Sequence, residues 1–450
     1  MRVKQLKLSN FRRFGELTIP FCNEEVDANT PKTIVFIGNN GAGKTAILDA
    51  LALSLSWLVA RINREKGMGG SLVDADVLNG KNASTIDLQV DSNQLTYRWV
   101  LSKTLKGRVK TADSQLGDVT KLAGCFREQL THDKQTSLPL IANYPIERVV
   151  LDIPLKIRTR HNFDQLDGYD NSLQQGVDFR RFFEWFRDRE DAENEVRSSQ
   201  FQQQFNEIIE QYRDNTESIG DFFKAIDQIE ATARDRQLTA IRVAIKSFLP
   251  DFDNLRVQRK PRLQMVIDKN GKALDVGQLS QGEKSLMALV GDIARRLAMM
   301  NPALENPLDG SGIVLIDEVD MHLHPNWQRA IIGNLNKTFP NCQFILTTHS
   351  PIVISESPNL LCYALNNGEL EKLPNLYGMD VNQVLLQDMD ADIRNADIQN
   401  ALDQLRDDLQ DCNLDSAKQL LVELESKIAI DHLELNKARL LIRRLEMQRA

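Results

Sequence analysis

The segment Gly38-Asn39-Asn40-Gly41-Ala42-Gly43-Lys44-Thr45 constrains this chain more than any other feature. It fits G-x-x-x-x-G-K-[ST] at every fixed position, and its surroundings are the ones such a loop requires. TIVFI (33–37) before it is a short β-branched run, suited to a parallel strand buried on both faces. After it, Ile47, Leu48, Leu51, Leu55 and Leu58 fall at helical spacing. A glycine-rich turn that matches by chance lacks this strand and this helix. The chemistry follows from the residue types. Glycines let the loop curl so that backbone N–H groups, those of Asn39, Asn40, Gly41, Ala42 and Gly43 among them, converge on phosphate oxygens. The helix N-terminus adds partial positive charge. Lys44 supplies a mobile cation for the β- and γ-phosphates, and Thr45 a hydroxyl ligand for Mg²⁺. The expectation is an α/β chain that takes ATP and Mg²⁺.

A second strand ends in acids at Gly312-Ile313-Val314-Leu315-Ile316-Asp317-Glu318. Taken alone, an apolar run followed by Asp-Glu is as often a strand simply reaching the surface. Beside a phosphate loop it reads differently, because open α/β sheets bind ligands at the C-terminal ends of their strands. Asp317 is expected to hold Mg²⁺, directly or through water, and Glu318 to polarise the attacking water as general base.

Leu279-Ser280-Gln281-Gly282-Glu283-Lys284 is, by itself, only a helix capping box. Placed ahead of the acidic strand, it resembles the signature motif of ABC-type ATPases. That resemblance implies that Ser280, Gly282 and Glu283 open a helix which caps the γ-phosphate held by a second copy. Gln343-Phe344-Ile345-Leu346-Thr347-Thr348-His349-Ser350 is another buried strand. Most lone histidines at strand ends are structural; in the ABC order His349 would be the switch histidine on the γ-phosphate. Asn10-Phe11-Arg12 resembles the turn of RecF, Rad50 and SMC proteins whose basic residue, here Arg12, reaches toward nucleotide. Asp320 to Pro325 stands at the family's D-loop position, departing from the transporter form and resembling the OLD-like variant, and the resemblance implies that it crosses to the other subunit. His322 and His324 lie in it, but without a third ligand they do not make a metal site. For the Q-loop glutamine of that family, Gln135 is a candidate by position only.

The combination most resembles the ATPases of bacterial anti-phage defence, the Septu ATPase family above all, which also occurs with some retrons. The resemblance implies an ABC-type P-loop ATPase: a mixed or parallel sheet core, an antiparallel β subdomain, a helical insertion and a helical C-terminus. It further implies a homodimer or higher homo-oligomer whose nuclease is a separate HNH partner, with a retron component as a possible further partner. Two alternatives stay open: a RecF/Rad50-like repair ATPase that binds DNA itself, and an OLD-like ATPase lacking its nuclease domain. Lys44 and Ser280 are 236 positions apart, too far for a compact transporter domain and too close for an SMC arm. The expected organisation is an N-terminal ATPase lobe (1–177), a helical insertion (178–248), a C-terminal ATPase lobe (249–389) and a helical extension (390–450). The insertion carries aromatic stripes, and the extension an apolar set from Leu402 to Ile428.

Composition narrows the rest. Five scattered cysteines and no C-x-x-C argue against a disulfide framework, a zinc site or a zinc hook. No apolar run is expected to span a bilayer, no leader precedes Met1-Arg2-Val3, and a cytoplasmic chain is expected. The net charge of −8 repels nucleic acid globally, so any binding would need one of three basic clusters: 103–110, 148–160 or 256–262. Such runs are more often solvated faces.

Overall fold

Strand β3 (Thr33–Ile37) is buried along its whole length because it lies near the middle of a six-stranded sheet. Its neighbours in that sheet are equally apolar: β6 (Leu140–Tyr144), β10 (Gly312–Ile316), β11 (Cys342–Thr347) and β12 (Leu361–Asn366). The order is β13-β12-β3-β11-β10-β6, parallel except for the edge strand β13 (Glu369–Lys372). Parallel pairing buries both faces, which explains the unbroken Val/Ile/Leu runs. Helix α1 (Lys44–Asn63) follows β3, with Ile47, Leu48, Leu51, Leu55 and Leu58 all buried.

The computed structural model describes residues 1–22, 32–110, 112–146, 163–173, 179–212, 234–366, 368–388, 395–429 and 432–449. They form two units, Met1–Gly378 and Met379–Ala450. In the first, an antiparallel sheet of order β2-β1-β4-β5 is built from β1 (Arg2–Phe11), β2 (Phe14–Pro20), β4 (Ala83–Ser92) and β5 (Leu95–Thr104). The Gln343 side chain joins it to the central sheet, accepting from Val3 N (2.7 Å) and donating to Val3 O (3.1 Å). Helix α2 (Gly117–His132) was not foreseen from the sequence.

The insertion is helical where it is described: α3 (Phe179–Tyr212) and α4 (Arg236–Phe248), with 213–233 outside the described residues. Its aromatics Phe179, Phe182, Phe183, Trp185 and Phe186 are core, not surface. A small antiparallel sheet follows, β7 (Phe252–Gln258), β8 (Gln264–Lys269) and β9 (Lys272–Asp275), and then helix α5 (Gln281–Met300). Helices α6 (Pro325–Thr338) and α7 (Pro351–Ser355) complete the unit. This is the α/β fold that the motifs implied, with its mixed sheet and antiparallel sheets.

The second unit holds α8 (Val381–Asp388), α9 (Ala396–Gln410), α10 (Leu414–Lys427) and α11 (Leu433–Arg449). Leu402, Leu405, Leu409, Leu421 and Leu424 pack with Leu435, Ala438 and Ile442 into a core of their own. Leu433, Leu440, Leu441 and Met447 remain exposed on α11.

One expectation needs revision. Among the described residues one helix, α1, is long and apolar enough to cross a membrane by length and composition, where none was expected; most of it is buried inside the protein. Several cations of two basic clusters are paired with carboxylates. Lys103 pairs with Asp74, Arg256 with Asp268, Arg259 with Glu190 and Asp191, and Arg262 with Asp275. The 148–160 cluster lies wholly outside the described residues.

Candidate functional site

Strand β3 delivers its chain directly into the phosphate loop, and the loop's shape depends on Gly43. Its φ is +111°, and a Cβ there would sit 2.6 Å from the Phe14 ring, so only glycine fits. The next residue, Lys44, starts α1 and is nearly buried. Its Nζ donates to the carbonyls of Gly38 (2.7 Å) and Asn39 (3.3 Å) and lies 2.8 Å from His349 Nε2. Burial lowers the Lys44 pKa, against the opposing pull of Asp317, Glu318 and Asp320. Burial, and then Lys44, lowers that of His349, which favours a neutral imidazole at this contact.

Strand β10 brings the carboxylates to the same cleft. Asp317 is 2% exposed. Its Oδ2 accepts from Thr45 Oγ1 at 2.8 Å, and its Oδ1 from Thr347 Oγ1. Its N–H donates to Tyr144 O at 2.9 Å. Glu318 adopts φ +45°, an uncommon conformation for a side-chain-bearing residue. The end of β11 holds it there: Glu318 N donates to Thr347 Oγ1 (2.7 Å) and Val319 N to Thr347 O (2.9 Å). Strain of this kind persists only where neighbours fix it, and it gathers at functional sites. Glu318 Oε1 ends 4.0 Å from His349 Nε2.

These residues line one cleft of about 370 Å³, together with Arg12, Asn40, Gly41, Ala42, Gly43 and Ile146. Arg12 is anchored at it by Asp49 (2.6 Å) and Asp76 (3.0 Å). Asn39 contributes its carbonyl to Lys44 and to Ala42 N. The hydroxyl of Thr45 and the carboxylate of Asp317 are hard oxygen donors converging beside the loop, a donor set that fits Mg²⁺. Among the described residues no group of three or more His, Cys, Asp or Glu could hold a metal on its own.

Ser280, Gly282 and Glu283 are not in this cleft. Ser280 caps α5, its N–H and Oγ both donating to Glu283 Oε2 (2.8 and 2.9 Å), while Lys269 reaches Glu283 Oε1 at 2.6 Å. Ser280 and Gly282 line a separate, open cavity with His322, Leu323, His324, Asn326 and Trp327. Gly282 is required there: a Cβ would stand 2.4 Å from His322 O. Gln135 lies exposed in the turn after α2 and is not among the residues lining the cleft; Ile146, beyond β6, is. Thr347 was also missed as a site residue. Its Thr-Thr-His-Ser context was visible, but its two hydrogen bonds, donated to Asp317 and accepted from Glu318 N, exist only because β11 pairs with β10.

Comparison with known proteins fits this geometry. The family described as "AAA domain, putative AbiEii toxin, Type IV TA system" matches residues 126–355, and an "AAA domain" family matches 5–213. The chain is 32% identical over 407 residues to the "Retron Ec83 probable ATPase" of Escherichia coli, covering 83% of this chain and 73% of that one. It belongs to this family of AAA-type retron ATPases. It is also 33% identical over 375 residues to the "Retron Vc95 probable ATPase" of Vibrio cholerae, covering 79% and 71%. Similarity to the "Septu protein PtuA" of Bacillus mycoides is more local, 39% over 113 residues, covering 24% of this chain and 15% of that one. This member of the retron ATPase family is therefore a nucleotide-binding ATPase of the retron and Septu defence type.

Proposed function

We propose that this retron-family ATPase hydrolyses Mg²⁺-bound ATP at sites shared between two copies, and that the cycle regulates or scaffolds a partner HNH nuclease in anti-phage defence. The observation that carries the shared site is the separation of its parts. The residues suited to phosphate and metal line one cleft, whereas Ser280 and Gly282 line another cavity on the same unit. A second copy related by a two-fold axis would bring that cavity over the nucleotide, with Ser280 and the α5 N-terminus aimed at the γ-phosphate. Lys44 and the loop N–H groups bind the phosphates, and Arg12 lies at the edge of the same cleft. Thr45 and Asp317 hold Mg²⁺, which supplies charge neutralisation to the phosphates when bound. Glu318 takes the proton of the attacking water, and His349, neutral beside Lys44, orients on the γ-phosphate.

The nuclease partner is what the resemblance to the Septu ATPase family implies, and the chemistry of the cleft supports it. The cleft residues supply phosphate chemistry alone, so the nucleotide state must be read by another protein. The exposed apolar face of α11 is a candidate surface for that reading or for a higher assembly. Direct DNA binding of the RecF/Rad50 kind is less supported, since Arg256, Arg259 and Arg262 of the 256–262 cluster are paired with carboxylates.

Glu318→Gln tests the shared site. It should keep ATP affinity while turnover falls by about 10²–10⁴, the usual worth of a general base. Light scattering should then show a stable ATP-dependent dimer. A variant that hydrolyses at the wild-type rate, or stays monomeric with saturating ATP, would contradict the proposal.

A further inference from the structure

Tyr144 closes β6 next to the acidic strand, and it faces two ways. Its carbonyl accepts from Asp317 N at 2.9 Å. Its hydroxyl donates to Asp292 Oδ2 at 3.0 Å. Asp292 lies on α5, the helix whose N-terminus presents Ser280 and Gly282, roughly 18 Å along the axis from that end. Asp292 is 0% exposed and is gripped by two arginines that are also buried. Arg295 Nη2 reaches Oδ1 and Arg296 Nε reaches Oδ2, both at 2.7 Å. Arg296 continues to the carbonyls of Gly168 (2.6 Å) and Asp170 (3.0 Å), which adjoin β6 through the bond from Asn143 N to Ser172 O (2.6 Å).

Two cations on one carboxylate in a dry core are a poor way to stabilise a helix. Desolvating buried charges costs several kcal/mol each, and apolar residues of similar volume often serve as well or better. What such a network supplies is geometry, because its members must all be satisfied in one arrangement. Its chemistry is consistent with a fixed link. Burial alone would push the Asp292 carboxyl up, but Arg296 and Arg295 outweigh it and hold the group well below the usual carboxylate range. Burial, reinforced by Asp292, keeps the Tyr144 hydroxyl protonated and therefore a donor.

Resting on the shared-site reading, we infer that Tyr144 is a positioning residue that ties the α5 helix to Asp317, so that Ser280 and Gly282 are presented to the second copy in step with the nucleotide at this copy's own Thr45–Asp317 pair. Backbone, hydroxyl and helix form one continuous path, with a hydrogen bond at each junction. Coupling of this kind is established by energetic coupling between the ends of the path, not by proximity.

The experiment is a double-mutant cycle on ATP turnover with Tyr144→Phe and Ser280→Ala. Tyr144→Phe keeps the ring and removes only the hydroxyl. The expected result is an ATP dissociation constant unchanged within about twofold and kcat reduced about tenfold, the worth of one buried hydrogen bond to a charged group. In the Ser280→Ala background, Tyr144→Phe should cost little more. Losses that multiply independently, an unchanged kcat in Tyr144→Phe, or a fall in affinity that tracks a fall in melting temperature would each overturn the inference. If Ser280→Ala alone leaves turnover intact, the shared-site reading fails, and the inference with it.

Discussion

Lys44 shows what the residue scale decides. Its ammonium is buried and already satisfied by two loop carbonyls and His349, so on the proposed reading ATP binding would exchange those partners for phosphate oxygens. Hydrogen bonds to charged groups are worth about 1.5–3 kcal/mol each, so Lys44→Ala should weaken ATP binding by about 100-fold or more in calorimetry. Affinity within a few-fold of wild type would remove Lys44 from its assigned place. The residues brought together in the cleft were mostly legible in the sequence, because Lys44, Thr45, Asp317, Glu318 and His349 each sit in a contiguous strand-to-loop motif. Thr347, Ile146 and Tyr144 were not. Their roles depend on which strand lies beside which, and a parallel sheet pairs strands that are distant in the chain. β6 and β10 are separated by the whole insertion, yet Tyr144 O receives the N–H of Asp317.

At the scale of the element, periodicity made the buried strands readable and left the shorter or more polar pieces obscure. TIVFI and GIVLI announce themselves, as does the hairpin β4–β5 with its alternating Ile86, Leu88 and Val90. Helix α2 and strand β13 escaped because their charged faces carry weak patterns; β13 is an edge strand with little to bury. The insertion's aromatics read as a stripe of unknown destination. In the structure they are core, Phe182 packing where Gly291 of α5 leaves room. The same close packing decides the fate of the α5 N-terminus. A methyl group on Gly282 would press on the backbone of His322 at 2.4 Å, which no side-chain rotation can relieve. Gly282→Ala must therefore displace either the 320–324 loop or the start of α5. It should lower kcat about tenfold or more while nucleotide binding by the separate P-loop cleft stays within about twofold, since a displacement of about 1 Å can cost that much. Equal losses in kcat and affinity would mean that the two cavities are not independent.

The proposed phosphate and metal site lies in one unit, and a separately cored helical unit lies beyond Gly378. The apolar set of 402–428 packs with residues of α11, and what the described part of the helical extension exposes to a partner is chiefly the α11 face bearing Leu433, Leu440 and Met447, with Val422 of α10 also exposed. The central claim concerns the first unit: one copy holds the nucleotide and another completes the site. Complementation tests it most directly. Lys44→Ala destroys the loop but keeps the cavity at Ser280, whereas Ser280→Ala does the reverse, so each protein alone should be nearly inactive. Mixed at equal concentration and allowed to exchange, half of the dimers would pair one of each and hold a single intact site, restoring up to about a quarter of wild-type turnover. Turnover that stays at the sum of the two inactive proteins, with exchange verified by differently tagged copies, would contradict the account.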